Sequence, residues 1–142
     1  MEIRIPDTPA EWDAYYQLRW EMLRKPWGQP IGSEKAADES EFYHVAAFDE
    51  DGILGVGCFK MINEDEVQIR FMAVANSLQR KGVGVSLMNA LEVEAFSRGA
   101  HKVALHAREI AIPFYEYCSY TMIEKSYLLY DSIQHFLMSK EI

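Results

Sequence analysis

Cysteine is scarce in this chain. Cys58 and Cys118 stand far apart and without CxxC spacing, which excludes a disulfide framework and the common zinc patterns. Positive charge is also in short supply. Fourteen Lys and Arg face 22 Asp and Glu, for a net charge of -8 and a pI near 5.0. A surface of that sign argues against non-specific nucleic-acid binding and against anionic membranes, and it leaves room for a cationic substrate. No apolar run approaches the ~18 residues that a membrane helix needs. Met1-Glu2-Ile3-Arg4 lacks the basic-then-apolar pattern of a signal peptide. Internal repeats, low-complexity tracts and long linkers are missing too. These absences together predict a reduced, cytoplasmic protein without a metal.

What is present is ordinary for a globular chain: 142 residues, 49% hydrophobic and 25% charged. That length suits one domain over residues 1–142, able to bury roughly 68–70% of its unfolded surface. Residues 2–5 alternate as a short strand. Thr8-Pro9-Ala10-Glu11 then reads as a helix start: Thr8 the N-cap, Pro9 at the first helical position, Glu11 closing a capping box. Trp12, Tyr15, Tyr16, Arg19, Met22 and Leu23 follow at helical spacing. Pro26, Gly28, Pro30 and Gly32 open a loop, and the charged stretch from Glu34 to Glu41 reads as a solvated loop or short helix.

Strands come next, Phe42 to Phe48 and Ile53 to Met61, joined by the turn Asp49-Glu50-Asp51-Gly52. After the turn Asn63-Glu64-Asp65 a further strand runs from Val67 to Val74. Residues 82–98 form a second helix with the stripe Val83, Leu87, Ala90, Leu91, Ala95 and Phe96, and Gly99 is its stop. Lys102 to Ala107 is a strand, Pro113 begins a short aromatic helix, and 120–140 holds two strands around Asp131-Ser132. The order β-α-β-β-β-α-β-α-β-β describes a mixed α/β domain whose long helix crosses between two parallel neighbours.

Residues 67–91 carry the chemistry. A strand runs through the polar loop Asn76-Ser77-Leu78-Gln79-Arg80-Lys81 into Gly82-Val83-Gly84 and the helix. The first N–H groups of a helix have no partner within it, and the helix dipole adds partial positive charge there. Gly82 and Gly84 let an oxyanion approach the backbone, and Arg80 and Lys81 add full charge. The bland alternative is a tight strand-to-helix turn. GxxxxGK[ST] is absent, which excludes a P-loop, and Gly55-Val56-Gly57 lies in a hairpin strand without a third glycine.

Gln79-Arg80-Lys81-Gly82-Val83-Gly84 resembles the Q/R-x-x-G-x-G/A signature of the GNAT superfamily of acyl-CoA-dependent N-acyltransferases. Met72-Ala73-Val74 resembles the strand end that precedes it in that family. Ala111-Ile112-Pro113-Phe114-Tyr115-Glu116-Tyr117-Cys118-Ser119-Tyr120 resembles the family's second block, A-I-x-F-Y-E-K-x-G-F/Y. The resemblance spans about residues 67–120. It implies a largely antiparallel sheet with a splayed parallel strand pair, flanked by helices. It also implies acetyl-CoA as co-substrate, its pyrophosphate on the backbone of Gln79, Arg80, Lys81, Gly82, Val83 and Gly84 and its pantetheine arm along Met72 and Val74. Tyr115 matches the tyrosine that protonates the departing thiolate; by itself it reads equally as a core aromatic. The acceptor is then a small-molecule or peptide amine, and a homodimer is common in such proteins. A catalytically silent acyl-CoA-binding module of the same fold is the alternative, with an unrelated phosphate-binding α/β domain behind it.

The chain departs from the pattern in places. Gln68 stands where some members place a glutamate base, and a glutamine cannot serve. Glu64, Glu66 and His44 are other nearby titratable groups, with His135 slightly preferred as base because C-terminal strands border the acceptor side. Ser119 replaces a usual glycine, so the turn there is expected to differ. Arg108 replaces an asparagine. The resemblance places Trp20 and Trp27 on the acceptor side as candidate walls of a substrate pocket; by themselves they read as a packed side chain and a surface loop.

Overall fold

A computed structural model describes residues 1–75 and 82–142. The chain forms two compact units. One comprises Met1–Lys60 with Phe71–Leu91, the other Met61–Arg70 with Glu92–Ile142. The elements are strands β1 (Glu2–Arg4), β2 (Tyr43–Asp49), β3 (Gly52–Met61), β4 (Glu66–Val74), β5 (Lys102–Arg108), β6 (Thr121–Leu129) and β7 (Ile133–Glu141), and helices α1 (Pro9–Leu23), α2 (Val83–Ser97) and α3 (Ile112–Tyr117). Their order is the one expected from the sequence. The seven strands lie in the sheet order β1-β2-β3-β4-β5-β7-β6.

In the first unit, α1 begins as its residues dictate. Thr8 Oγ1 accepts from the Glu11 amide at 3.1 Å, and the Glu11 carboxylate accepts from the amides of Asp7 and Thr8. Arg4 grips the same carboxylate through both terminal nitrogens, at 2.8 and 2.6 Å. That hydrogen-bonded pairing holds the Glu11 carboxyl down at about 2. Tyr15 and Leu18 of α1 pack on Ala46, Phe48, Val56 and Ala73. β1, β2 and β3 pair antiparallel, and the β2–β3 turn is closed by an Asp49 side chain that accepts from the Asp51 amide.

β3 carries Gly55 and Gly57 because its neighbours leave no room for a Cβ. A methyl at Gly55 would lie 2.9 Å from Leu87 Cδ1, 3.0 Å from Val83 Cγ1 and 3.1 Å from the Ala73 carbonyl oxygen. At Gly57 it would fall 2.4 Å from Met72 Sδ. The two glycines serve close packing, in agreement with their exclusion as a nucleotide motif.

The second unit holds the parallel strand pairing. β4 pairs parallel with β5 through Glu66↔Lys102, Val67↔Val103 and Gln68↔Ala104. The paired register ends at Gln68 and Ala104, while β4 runs on to Val74 and β5 to Arg108. β5 pairs with β7 along its whole length, Lys102↔Glu141 through Arg108↔His135, and β6 lies outside β7 with two register shifts. α2 ends in a Schellman turn. The Ala100 amide donates to the Ala95 carbonyl, the Gly99 amide to the Phe96 carbonyl, and Gly99 takes φ +93°.

Two expectations are corrected here. Phe96 belongs to the predicted inward stripe of α2 but is 58% exposed, while Met88 is buried in its place. Ala95 takes the inward position, and one further residue turns the side chain by about 100° at 3.6 residues per turn. Residues 34–41 contain a short helix as one alternative expected, a 3-10 turn at Glu39–Glu41, but the stretch is not solvated throughout. Glu34 is 3% exposed, and Glu39 reaches into the first unit's interior.

Candidate active site

The opening of α2 is built as the anion reading requires. The Ser86 amide donates to the Gly82 carbonyl at 3.0 Å, which makes Gly82 the residue that caps the helix. The amides of Val83, Gly84 and Val85 therefore precede the first intrahelical bond and have no acceptor inside α2. Gly82 is exposed, with φ +80° and, among the described residues, nothing within 4 Å of where a Cβ would be. Any other residue would be strained there and would fill that open space. Open backbone, free amides and the positive end of the helix dipole fit a diphosphate. Val83 itself is buried, so its amide and not its side chain is the usable group. Gln79, Arg80 and Lys81 lie outside the described residues.

Met72 and Val74 sit near the end of β4, half-buried on either side of buried Ala73. The residue before them is unusual. Phe71 has φ +55°, in the middle of a nine-residue strand. A non-glycine residue in the left-handed region costs roughly 1–2 kcal/mol, and in a strand it bends the chain as a bulge does. Nothing in an aromatic residue signals this from sequence.

The neighbourhood of Phe71 explains how the conformation persists. The Arg19 guanidinium lies 4.4 Å from the Phe71 ring centroid and that of Arg24 5.7 Å away, and Phe42 meets the ring edge-on at 6.5 Å. Arg19 is fully buried. It donates to the Glu39 carboxylate at 2.6 Å, to Tyr15 Oη at 2.9 Å and to the Glu34 carbonyl at 3.2 Å. Its Nε has no hydrogen-bond partner among the described residues. Three aromatic faces, those of Tyr15, Tyr16 and Phe71, surround the guanidinium at 4.4–5.1 Å instead. Burial pushes the Glu39 carboxyl up, but the Ala36 amide and Arg19 more than offset this and leave it below the usual carboxylate range.

His44 completes this cluster. Its Nδ1 lies 2.8 Å from Tyr15 Oη and its Nε2 3.1 Å from the Glu39 carbonyl. The carbonyl can only accept, so Nε2 carries the proton and Tyr15 donates to Nδ1. Burial holds His44 below its ordinary pKa. The histidine is a structural member of the network. A signal for the cluster was available in the sequence: Arg19 falls on the same helical stripe as Tyr15 and Tyr16, and a charge on an apolar stripe demands a buried partner.

In the second unit, Tyr115 sits in α3, only 9% exposed, with the rings of Phe114 and Tyr120 at 5.1 and 6.1 Å. Burial pushes its phenol up to about 12, opposed by the positive charge of Arg108. Its hydroxyl has no hydrogen-bond partner among the described residues and stays protonated at neutral pH. Cys118 is half-buried and its thiol is pushed up by burial and by Glu92, so it is no activated nucleophile. Glu92 is held by Tyr120 Oη at 2.8 Å and Lys140 Nζ at 2.9 Å, a brace that motif reading missed.

The turn after α3 keeps the glycine-type geometry without the glycine. The Tyr120 amide donates to the Tyr115 carbonyl and the Ser119 amide to the Glu116 carbonyl, both at 2.9 Å, and Ser119 takes φ +74°. This is the same Schellman turn that ends α2, so the expectation of a different turn is corrected. His135 lies on β7 opposite Arg108, its Nδ1 donating to the Ile133 carbonyl at 3.0 Å and its ring stacked on Tyr127 at 4.4 Å. Gln68 is the last paired residue of β4 in the parallel ladder. Trp20 is tied by its indole N–H to the Gln29 carbonyl, and Trp27 is exposed. Among the described residues, no group of three or more His, Cys, Asp or Glu could hold a metal ion, and no helix is long and apolar enough to cross a membrane.

Comparison with known proteins agrees with this architecture. An aminoglycoside 6'-N-acetyltransferase complexed with coenzyme A superposes with a TM-score of 0.84 at 20% identity, covering 99% of this chain and 97% of the other. Escherichia coli ElaA gives 0.81 at 20% identity, covering 99% and 100%. A GNAT family acetyltransferase from Elizabethkingia anophelis with acetyl-CoA bound gives 0.74 at 13%, covering 99% and 96%. At these identities the likeness shows the fold. The sequence model described as "Acetyltransferase (GNAT) family" matches residues 12–120, most of the chain, and the chain belongs to that family.

Proposed function

We propose that this protein is an acetyl-CoA-dependent N-acetyltransferase, one catalytic domain over residues 1–142, working in the cytoplasm by direct transfer to an amine. Acetyl-CoA, when bound, supplies the activated thioester. The amides of Val83 and Gly84, beside Gly82, hold its diphosphate, with Gln79, Arg80 and Lys81 leading into that turn. The backbone of Met72 and Val74 aligns the pantetheine arm. The observation that carries this reading is the opening of α2, where a left-handed Gly82, with no described residue near its Cβ position, stands beside amides that have no acceptor inside the helix.

Tyr115 is the proton donor to the departing sulfur. A free thiol has a pKa of about 8.5, so complete transfer from a phenol at about 12 is uphill by about 3.5 pH units, or about 5 kcal/mol. The burial that raises the phenol raises a thiolate beside it as well, which narrows the gap. Most of the benefit therefore comes from a hydrogen bond to sulfur as its negative charge develops. The acceptor is a small-molecule or peptide amine. The net charge of -8 favours a cationic one, and one of the superposed proteins is an aminoglycoside 6'-N-acetyltransferase.

Release of free thiol from acetyl-CoA across an amine panel tests the activity. Tyr115→Phe is expected to lower kcat by about 10²–10⁴-fold with little change in KM for acetyl-CoA. Full turnover by this variant on a good acceptor would remove Tyr115 from the chemistry. Gln68, in place of a carboxylate in β4, favours a second reading as a silent acyl-CoA-binding module. Coenzyme A binding without thiol release on any acceptor is the result that selects it.

A further inference from the structure

The first unit contains a buried charge with no evident task in holding substrate. Arg19 is fully enclosed, fixed by Glu39, Tyr15 and the Glu34 carbonyl, and its guanidinium rests 4.4 Å from the ring of Phe71. Phe71 in turn is held left-handed, at φ +55°, directly ahead of Met72. A buried ion pair is a poor device for stability alone, because desolvation offsets most of the attraction. Its better-attested use is to specify one arrangement among several. An aromatic residue at φ +55° is just such a choice, since the extended alternative is open to every L-residue and preferred by Phe.

We propose that Arg19 is a positioning residue for the acyl-CoA strand: with Glu39 as its anchor, it clamps the Phe71 ring, keeps Phe71 left-handed and so sets the direction in which the backbone of Met72 and Val74 leaves the bulge. The guanidinium carbon lies over the ring, 4.4 Å from its centroid. Its orphaned Nε lies among the rings of Tyr15, Tyr16 and Phe71, so the site is built for aromatic contact and not for a further hydrogen bond. Arg24 and Phe42 bound the same ring from 5.7 and 6.5 Å. Released from the clamp, Phe71 reverts to extended backbone, and everything after it in β4 is re-aimed. The inference rests on the acyl-CoA reading above, because it assigns the clamp a consequence for cofactor affinity.

Calorimetric titration of acetyl-CoA into the parent and four variants, one of them double, tests it, with circular dichroism as the check on folding. Phe71→Leu keeps an apolar side chain but loses the ring and still disfavours φ +55°. Phe71→Gly loses the ring yet adopts φ +55° freely. The clamp predicts that Phe71→Leu weakens acetyl-CoA binding about tenfold, the population cost of an unclamped left-handed residue, while Phe71→Gly stays within about threefold of the parent. A packing role alone gives the reverse order, since leucine fills the space better than glycine, and that order overturns the proposal. Arg19→Lys should weaken binding in the parent and leave Phe71→Gly unaffected, because glycine needs no clamp. Equal effects of Arg19→Lys in both backgrounds also overturn it. If Phe71→Leu does not fold, the Arg19→Lys comparison decides alone. A parent that binds neither acetyl-CoA nor coenzyme A refutes the acyl-CoA reading itself, a result distinct from any ordering among the variants.

Discussion

Replacing Ser119 with glycine should make the protein more stable. Ser119 holds φ +74° at the C′ position of the Schellman turn that closes α3, with the amides of Ser119 and Tyr120 bonded back to Glu116 and Tyr115. An L-residue in that region costs about 1–2 kcal/mol through the clash of its Cβ with the carbonyl oxygen. Glycine removes the clash but gives back about 0.5–1 kcal/mol by loosening the unfolded chain. The net gain is about 0.5–1 kcal/mol, since the serine hydroxyl has no hydrogen bond among the described residues to lose. For a chain of this length that raises Tm by about 1–4 °C. Urea unfolding should show a higher midpoint with an unchanged m-value. Ser119→Ala keeps the Cβ and should change stability by less than about 0.5 kcal/mol, which separates backbone strain from loss of the hydroxyl. α2 ends in the same turn with glycine already present, at Gly99, so Gly99→Ser should cost what Ser119→Gly gains. A Ser119→Gly variant no more stable than the parent would refute the reasoning.

Two further outcomes follow from the packing and the histidine network. Gly55→Ala should destabilise by about 1–3 kcal/mol, because its methyl meets a backbone oxygen at 3.1 Å and two α2 side chains at 2.9 and 3.0 Å. Gly57→Ala should cost less, since the end of the Met72 side chain can turn away; equal urea midpoints for parent and Gly55→Ala would disprove the close approach. Stability should also fall as pH drops below about 6.5, the ordinary histidine value. Burial holds folded His44 below that value, beside Tyr15, Glu39 and Arg19, so the unfolded chain binds the extra proton first. His44→Gln should flatten the slope of Tm against pH between 7 and 5, and identical slopes would rule out His44 as the titrating group.

Local chemistry made much of the fold legible. Thr8, Pro9 and Glu11 lie within four positions of one another, so the capping box that starts α1 can be read directly, and Gly99 announces its turn because glycine is the residue that turn prefers. The turn at Gly82 that opens α2 was readable for the same reason. Phe71 was not, since an aromatic residue in a strand pattern is what an ordinary strand contains and its left-handed backbone is imposed by side chains from elsewhere. Arg19 on the apolar stripe of α1 signalled a buried charge, but its partner Glu39 was hidden by distance along the chain. Phe96 and Met88 changed places because an apolar stripe leaves its edge positions undetermined. Ser119 shows the opposite case: the hydrogen-bond pattern of the turn prevailed over the residue's own preference.

The bare backbone of β3 has a bearing on how such a protein can change over time. Val83, the first residue of α2, occupies the space that a side chain at position 55 would claim. The depth to which the helix settles on the strand is thus set by missing atoms, and with it the placement of the amides at the helix's open end. A single added carbon on the far side could shift those amides by tenths of an ångström without touching anything they hold. On the diphosphate reading proposed above, affinity at that end can drift through mutations in β3, and a survey confined to the residues of that end would miss its cause.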